Sequence, residues 1–247
     1  MLSTLLFCVF IFLLYKFFRN NKIKLGTFIK RGVRVFRSKF GVYIYDGKQG
    51  SGKTASAMGF IFENMSSDRP VYANMTSIKG IDYTYFNGLE GLLDLERANV
   101  SHCIIFYDEI FSLLDKQTKI NKDVLSFLSQ MRKRDIIFIT TCQEWLELPM
   151  TLRRYCRYQI KCRIVNPPLF SSLLFKQFND AEQMKYDKEE NEYIAPLITN
   201  TISKLNYYLL NSYDTFETID PNNYVKPINI NDYRKQNNIP IEDYFVS

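Results

Sequence analysis

The residues best placed to do chemistry lie in Gly47-Lys48-Gln49-Gly50-Ser51-Gly52-Lys53-Thr54, which fits the pattern G-x-x-x-x-G-K-[ST] without a mismatch. The chemistry of such a loop is anion binding. Its backbone N–H groups and the N-terminus of the next helix converge on phosphate oxygens. Lys53 is expected to reach the β- and γ-phosphates of ATP, and the Thr54 hydroxyl to hold Mg²⁺. Glycines at 47, 50 and 52 allow positive φ and a close backbone approach that side chains would block. A plain Gly-rich turn is the competing reading. Against it stand the flanks: Val42-Tyr43-Ile44-Tyr45 reads as a strand, and Ala55 to Phe62 as a helix.

A second stretch, His102-Cys103-Ile104-Ile105-Phe106-Tyr107-Asp108-Glu109, runs from apolar residues into two carboxylates. An unbroken apolar run is a strand buried on both faces, and α/β sheets bind their ligands beyond the C-terminal ends of the strands. Asp108 is expected to orient Mg²⁺ or its water, and Glu109 to accept a proton from the attacking water. The alternative is a strand that merely meets a polar loop. His102, at the other end of the strand, reads as structural. It is the sole histidine, and the five cysteines have no metal-ligand spacing, which speaks against a histidine triad or a zinc site.

These residues need a scaffold, and the chain outlines one. A length of 247 residues with 46% apolar content suits one α/β domain with extensions. Residues 70–74 read as a second strand, and 75–100 as a loop followed by a short amphipathic helix. Over Asn121–Arg134, Val124, Phe127, Leu128 and Met131 fall at i, i+3, i+4 and i+7, marking a helix with a basic end at Arg132-Lys133-Arg134. Ile136 to Thr141 is another buried strand. Residues 153–163 hold several cations and no acid, with alternation through Tyr158, Ile160, Cys162 and Ile164. Beyond Pro167-Pro168 the pattern weakens. Leu173–Phe178 could pack on the core, 180–192 is a charged surface stretch, 194–210 a broken amphipathic segment, and the end an extended arm.

The formal charge is +6, yet residues 1–40 hold nine Lys or Arg and no acid, so the remainder carries 23 basic against 26 acidic residues. Residues 1–15 are uncharged and apolar, followed by Lys16 and Arg19 and then by Lys22, Lys24, Lys30, Arg31, Arg34, Arg37 and Lys39. This predicts a single-pass transmembrane anchor over 1–18, a basic juxtamembrane segment over 19–40, an ATPase core over 41–165 and a C-terminal extension over 166–247. A cleaved signal peptide would want a positive start and a small-residue cleavage site, and neither is visible. A buried core helix is the other alternative. The basic flank places the rest of the chain in the cytoplasm, at the inner membrane of a host.

The stretch Phe127-Leu-Ser-Gln-Met-Arg-Lys-Arg-Asp-Ile-Ile-Phe-Ile-Thr-Thr-Cys-Gln143, with Leu152-Arg153-Arg154 after it, resembles the FtsK–HerA class of translocating ATPases. Within that class it resembles the filamentous-phage assembly proteins of the zonula occludens toxin (Zot) family and the genome-packaging ATPases of membrane-containing viruses. The resemblance covers roughly 40–165. Two features depart from the Zot pattern: the membrane segment comes first, and the basic helix end is Arg-Lys-Arg rather than histidine-containing.

The resemblance implies a P-loop NTPase fold, with a mainly parallel sheet flanked by helices and an extra strand between the two that carry the phosphate loop and the acidic pair. It also implies that Gln143 touches the γ-phosphate or the lytic water, unless it is an ordinary loop glutamine. Arg153 or Arg154 becomes an arginine finger reaching a neighbouring subunit, with other cations of the segment facing a polyanion; the alternative is a solvated edge strand. The expected function is ATP-driven assembly and extrusion of a filamentous phage by a homo-oligomeric ring. Partners would be the membrane, coat or export-channel proteins, and single- or double-stranded DNA. Genome packaging and a nucleotide-switched membrane adaptor are the alternatives.

Overall fold

The computed structural model describes residues 2–20, 40–110, 121–166, 171–189, 191–205 and 207–239. Most of the basic segment read at 19–40, and the last residues of the C-terminal arm, lie outside the described residues. The expected first helix is present as α1 (Leu2–Asn20). Among the described residues, however, no helix is long and apolar enough to cross a membrane. The uncharged run of α1, Leu2–Tyr15, is about 21 Å long at 1.5 Å per residue, against a hydrocarbon core of roughly 30 Å.

The remaining elements build one large sheet, its covering helices and a separate two-stranded ribbon. In chain order they are β1 (Gly41–Asp46), α2 (Lys53–Asn64), β2 (Val71–Ala73), β3 (Thr84–Asn87), α3 (Gly88–Arg97), β4 (Ile104–Tyr107), α4 (Lys122–Ser129), β5 (Ile137–Cys142), α5 (Met150–Tyr155) and β6 (Cys156–Val165). After them come β7 (Leu173–Asp180), β8 (Lys185–Asp187), β9 (Glu192–Ile194), β10 (Leu197–Lys204), α6 (Tyr207–Asn211), β11 (Val225–Asn229) and α7 (Ile230–Gln236). Among the described residues nine strands lie in the order β10-β7-β6-β1-β5-β4-β2-β3-β11. From β6 to β3 every pairing is parallel, whereas β7, β10 and β11 join antiparallel at the two edges.

The apolar composition of the central strands follows from their place. β1, β4 and β5 are buried at every position, so neither face can afford an unpaired polar group. Tyr43, Tyr45, Phe106, Ile137 and Ile139 face α2, packing on Ala55, Met58 and Ile61. Val42, Ile44, Ile105, Tyr107 and Phe138 face the other way, against Leu92 and Leu93 of α3 and Val124, Phe127 and Leu128 of α4. Each such aliphatic side chain contributes about 1.5–3 kcal/mol of burial free energy. β5 lies between β1 and β4, so their C-terminal ends stand about 10 Å apart, two strand spacings of ~4.8 Å. That gap suits a triphosphate.

Two findings depart from the sequence expectations, and a third decides between the two places open to the C-terminal arm, a partner or its own domain. α4 ends at Ser129 rather than Arg134, and Asp135 takes a left-handed conformation (φ 50°) as the chain turns into β5. Its start is capped, Asn121 Oδ1 accepting the Asp123 N–H at 2.8 Å. The segment 194–210, read as broken amphipathic, is the edge strand β10 followed by α6, which packs on α2 through Tyr208 and Phe62. The arm returns to its own domain: β11 pairs with β3, and Tyr233 of α7 packs on Tyr85 with ring centroids 4.5 Å apart.

Candidate active site

β1 stops at Asp46 because the next residue must be Gly47. Its φ is 148°, and an added Cβ would lie 2.5 Å from the Cys162 carbonyl oxygen and 2.7 Å from Ser51 Oγ. The Ser51 N–H then closes a turn on the Lys48 carbonyl at 3.1 Å. Gly52 caps α2 with φ 83°, where a Cβ would meet Leu174 Cδ1 at 2.7 Å. α2 begins at Lys53, so its first backbone donors open onto the same mouth. Lys53 Nζ donates to the carbonyls of Gly47 (2.9 Å) and Lys48 (3.2 Å), which holds the ammonium over the loop.

The acidic pair is fixed by two neighbours that the sequence did not single out. Thr141 Oγ1, at the end of β5, donates to Asp108 Oδ1 at 2.6 Å and accepts the Glu109 N–H at 2.9 Å. Asn74, just beyond β2, clasps the backbone of Asp108 from both sides. Its Nδ2 donates to the Asp108 carbonyl at 3.1 Å and its Oδ1 accepts the Asp108 N–H at 2.7 Å. Glu109 itself sits at φ 57°, a costly conformation for a non-glycine residue and one that recurs at functional sites.

Burial pushes the Asp108 carboxyl up from 3.8 to about 6, assisted by the negative charge of Glu109 and opposed by the Thr141 hydrogen bond and Lys53. Because the shift is upward, ionising Asp108 lowers the stability of the fold as pH rises from 3.8 through about 6. A cation beside it would reverse that penalty. The donor set fits Mg²⁺: the Thr54 hydroxyl and the Asp108 carboxylate open on one cleft, and Mg²⁺ takes one or two protein oxygens and completes its shell with phosphates and water. Asp46 is also buried and raised to about 6. It accepts from Gln159 Nε2 at 3.2 Å, and Gln159 in turn accepts from Asn179 Nδ2 at 3.1 Å, a polar chain crossing β1, β6 and β7.

The cleft has a volume of about 390 Å³ and is lined by Gln49 to Thr54, Asp108, Glu109, Thr141 and Gln143. Gly47 and Lys48 stand behind it as the turn that sets the loop. Arg153 and Arg154 are not among its lining residues. They occupy the last turn of α5, whose Leu152 packs with α3 and α4 on the face of the sheet away from α2. His102 lies at the far end of β4, its Nδ1 2.7 Å from Asp135 Oδ2, which also accepts from Arg69 at 2.6 Å. One further wall of the cleft comes from Tyr213 to Glu217 and Ile219, which no motif in the sequence marks.

The geometry therefore brings a glycine-rich loop at a helix N-terminus, a buried carboxyl and a second carboxylate into one cleft. Residues 43–165 match the model of the ATPase family associated with various cellular activities (AAA). Those residues are a P-loop ATPase domain, with the fold of a nucleotide-binding NTPase. No curated protein matches the chain in sequence. Among solved structures, the N-terminal domain of zonular occludens toxin from Neisseria meningitidis is similar at 16% identity. That match covers 72% of this chain and 100% of that one, with a TM-score of 0.47. The genome packaging NTPase B204 from Sulfolobus turreted icosahedral virus 2, in complex with ATP-gammaS, is similar at 10% identity over 64% of this chain and 98% of that one (TM-score 0.41). Flagellar accessory protein FlaH from Methanocaldococcus jannaschii is similar at 15% identity over 66% and 84%, with a TM-score of 0.38.

Proposed function

We propose that this ATPase is held at the cytoplasmic face of a host membrane by α1 and drives assembly and extrusion of a filamentous phage. The observation that carries the reading is the surface of α1. Leu6, Phe7 and Phe12 are each 62% exposed, and Val9, Ile11 and Leu13 are exposed beside them. Apolar side chains pointing in several directions from one helix need a non-aqueous cover, and Lys16 and Arg19 can snorkel to the headgroups and extend the reach of a short run. The basic residues between 22 and 39 suit an anionic cytoplasmic leaflet.

At the site, Lys53 and the loop N–H groups bind the phosphates, and Glu109 takes the proton of the attacking water. Mg²⁺ on Thr54 and Asp108 would neutralise the β- and γ-phosphate oxygens. Gln143 orients the water or touches the γ-phosphate. Lys53 is the single cation among the described residues that line the cleft, and this supports a second positive charge supplied from outside it. Arg153 or Arg154 of a neighbouring subunit supplies it in a homo-oligomeric ring, with coat or export-channel proteins and DNA as the partners.

Fractionation of cells producing the full chain, beside a variant lacking residues 1–20, tests the reading. The full chain should sediment with membranes and resist alkaline carbonate, and the truncated one should not. A full chain found wholly in the soluble fraction would remove the proposal's main support. Genome packaging is separated by turnover: stimulation by double-stranded DNA alone, without coat protein, would favour it over extrusion.

A further inference from the structure

The wall of the cleft on the β4 side is built by residues far from the ATPase domain in sequence. Tyr213, Asp214, Thr215, Phe216 and Glu217 connect α6 to β11 and line the cleft together with Asp108 and Glu109. Glu217 ties this connection down with both carboxylate oxygens. Oε1 accepts from the Thr76 N–H at 2.6 Å and from Thr76 Oγ1 at 2.7 Å; Oε2 accepts from the Ser77 N–H at 3.2 Å and from the Ser77 hydroxyl. A carboxylate that gathers four donors is making charge-assisted bonds, roughly twice as strong as neutral ones. A surface loop does not require so many.

The segment it grips is the one that leaves β2, and two residues upstream stands Asn74. Asn74 is 1% exposed, and its side chain makes both backbone bonds that hold Asp108. The rest of the loop is fixed from two further sides. Tyr83 OH donates to the Met75 carbonyl at 2.8 Å, and Arg234 of α7 donates to the carbonyls of Thr76 (2.6 Å) and Ile78 (2.9 Å). A continuous set of contacts therefore runs from Glu217 through Thr76 and Ser77 to Asn74 and on to Asp108.

We propose that Glu217 is a positioning residue for the Mg²⁺–nucleotide complex: it fixes the 74–77 loop, and through Asn74 sets where Asp108 presents its carboxylate. The C-terminal segment is then part of the nucleotide site, and a movement of α6 or α7 would be felt at the metal side of the cleft. The inference rests on the reading of Asp108 as the Mg²⁺-holding carboxylate.

The test is equilibrium binding of a fluorescent ATP analogue to the full chain in detergent, with Mg²⁺ and again with EDTA. The variants are Glu217→Gln, Asn74→Ala and the two combined. Glu217→Gln keeps the shape of the side chain and removes its charge. Each single change should cut the gain in affinity conferred by Mg²⁺, read as the ratio of the affinities with Mg²⁺ and with EDTA, by about tenfold, the equivalent of one lost charge-assisted hydrogen bond. The double variant should lose no more than the worse single one, because both act on one path. A full Mg²⁺-dependent gain in Glu217→Gln, or losses that simply add, would overturn the proposal, the latter by making Glu217 a remote charge only. Asp108→Asn separates the premise from the inference: if it too retains the Mg²⁺ gain, the assignment of Asp108 is what fails. Should Glu217→Gln not fold, Thr76→Val removes the hydroxyl bond to Glu217 alone and should give a loss of about threefold, with no loss counting against the proposal.

Discussion

Replacing Thr141 by valine separates the charge on Asp108 from the shape of the site. Thr141 is 1% exposed, so a side chain of the same outline keeps the packing at the end of β5. The change removes the 2.6 Å bond to Asp108 Oδ1 and the acceptor for the Glu109 N–H. A hydrogen bond to an ionised group is worth about 1.5–3 kcal/mol, and a pKa unit is about 1.36 kcal/mol, so losing it should lift the Asp108 carboxyl by about one to two units. Starting from about 6, the group would then be roughly half to nine-tenths protonated at neutral pH.

Steady-state hydrolysis at Mg²⁺–ATP concentrations well below KM, where the site is empty before the substrate arrives, measured from about pH 5.5 to about pH 9, should show the acid limb of kcat/KM displaced to higher pH by that amount. Activity near neutral pH should fall about two- to tenfold and recover as the pH is raised. The lost Glu109 anchor should lower the plateau as well, a change independent of pH. An acid limb that stays in place in a folded variant would refute the reasoning. If the limb moves instead in Asp46→Asn, the titrating group is Asp46, whose carboxyl is likewise raised to about 6.

Lys53→Ala should abolish measurable binding of ATP in equilibrium titration, since the charge-assisted contact to the phosphates is lost; retained affinity would mean that the loop does not bind as described. Glu109→Gln should bind ATP normally yet hydrolyse it at least about 100-fold more slowly, because geometry survives and the proton acceptor does not. Unchanged turnover would reduce Glu109 to a strand-end carboxylate. An Arg153→Ala/Arg154→Ala double variant should be nearly inactive alone, since removing an arginine finger costs about 10³–10⁵ in rate in other phosphoryl-transfer enzymes. Mixing it with Lys53→Ala should partly restore hydrolysis through interfaces that join an intact loop to an intact finger. Co-assembly without recovery would assign these arginines to another surface.

The order in which the chain yields its information reflects the range of the forces involved. Gly47 to Thr54 was legible because a phosphate cradle is local: the glycine conformations, the lysine and the helix start must succeed one another in sequence. Asp108 and Glu109 were legible because a strand buried on both faces has to be apolar until it stops, and the residues just past its end stand on the ligand side of the sheet. The parallel core could be read in the same way, from runs that only a covered sheet tolerates.

Partnerships across the fold could not be read. Nothing near Thr141 or Asn74 in sequence announces that one donates to the Asp108 carboxylate and the other clasps its backbone, because β5 and β2 meet β4 only once the sheet has closed. Leu174 bounds Gly52, and Glu217 walls the cleft from residues whose patterning is too weak to mark them. Edge strands such as β10 and β11 are covered on fewer sides and keep mixed compositions, so their pairing is decided by what the core leaves exposed rather than by their own residues. The sequence by itself determined the nucleotide loop, the acidic pair and a covered parallel sheet, since each is written in consecutive residues. Only the tertiary structure decided which side chains hold Asp108, and that the C-terminal segment reaches the cleft, because hydrogen bonds between residues 33 to 141 positions apart leave no local pattern to find.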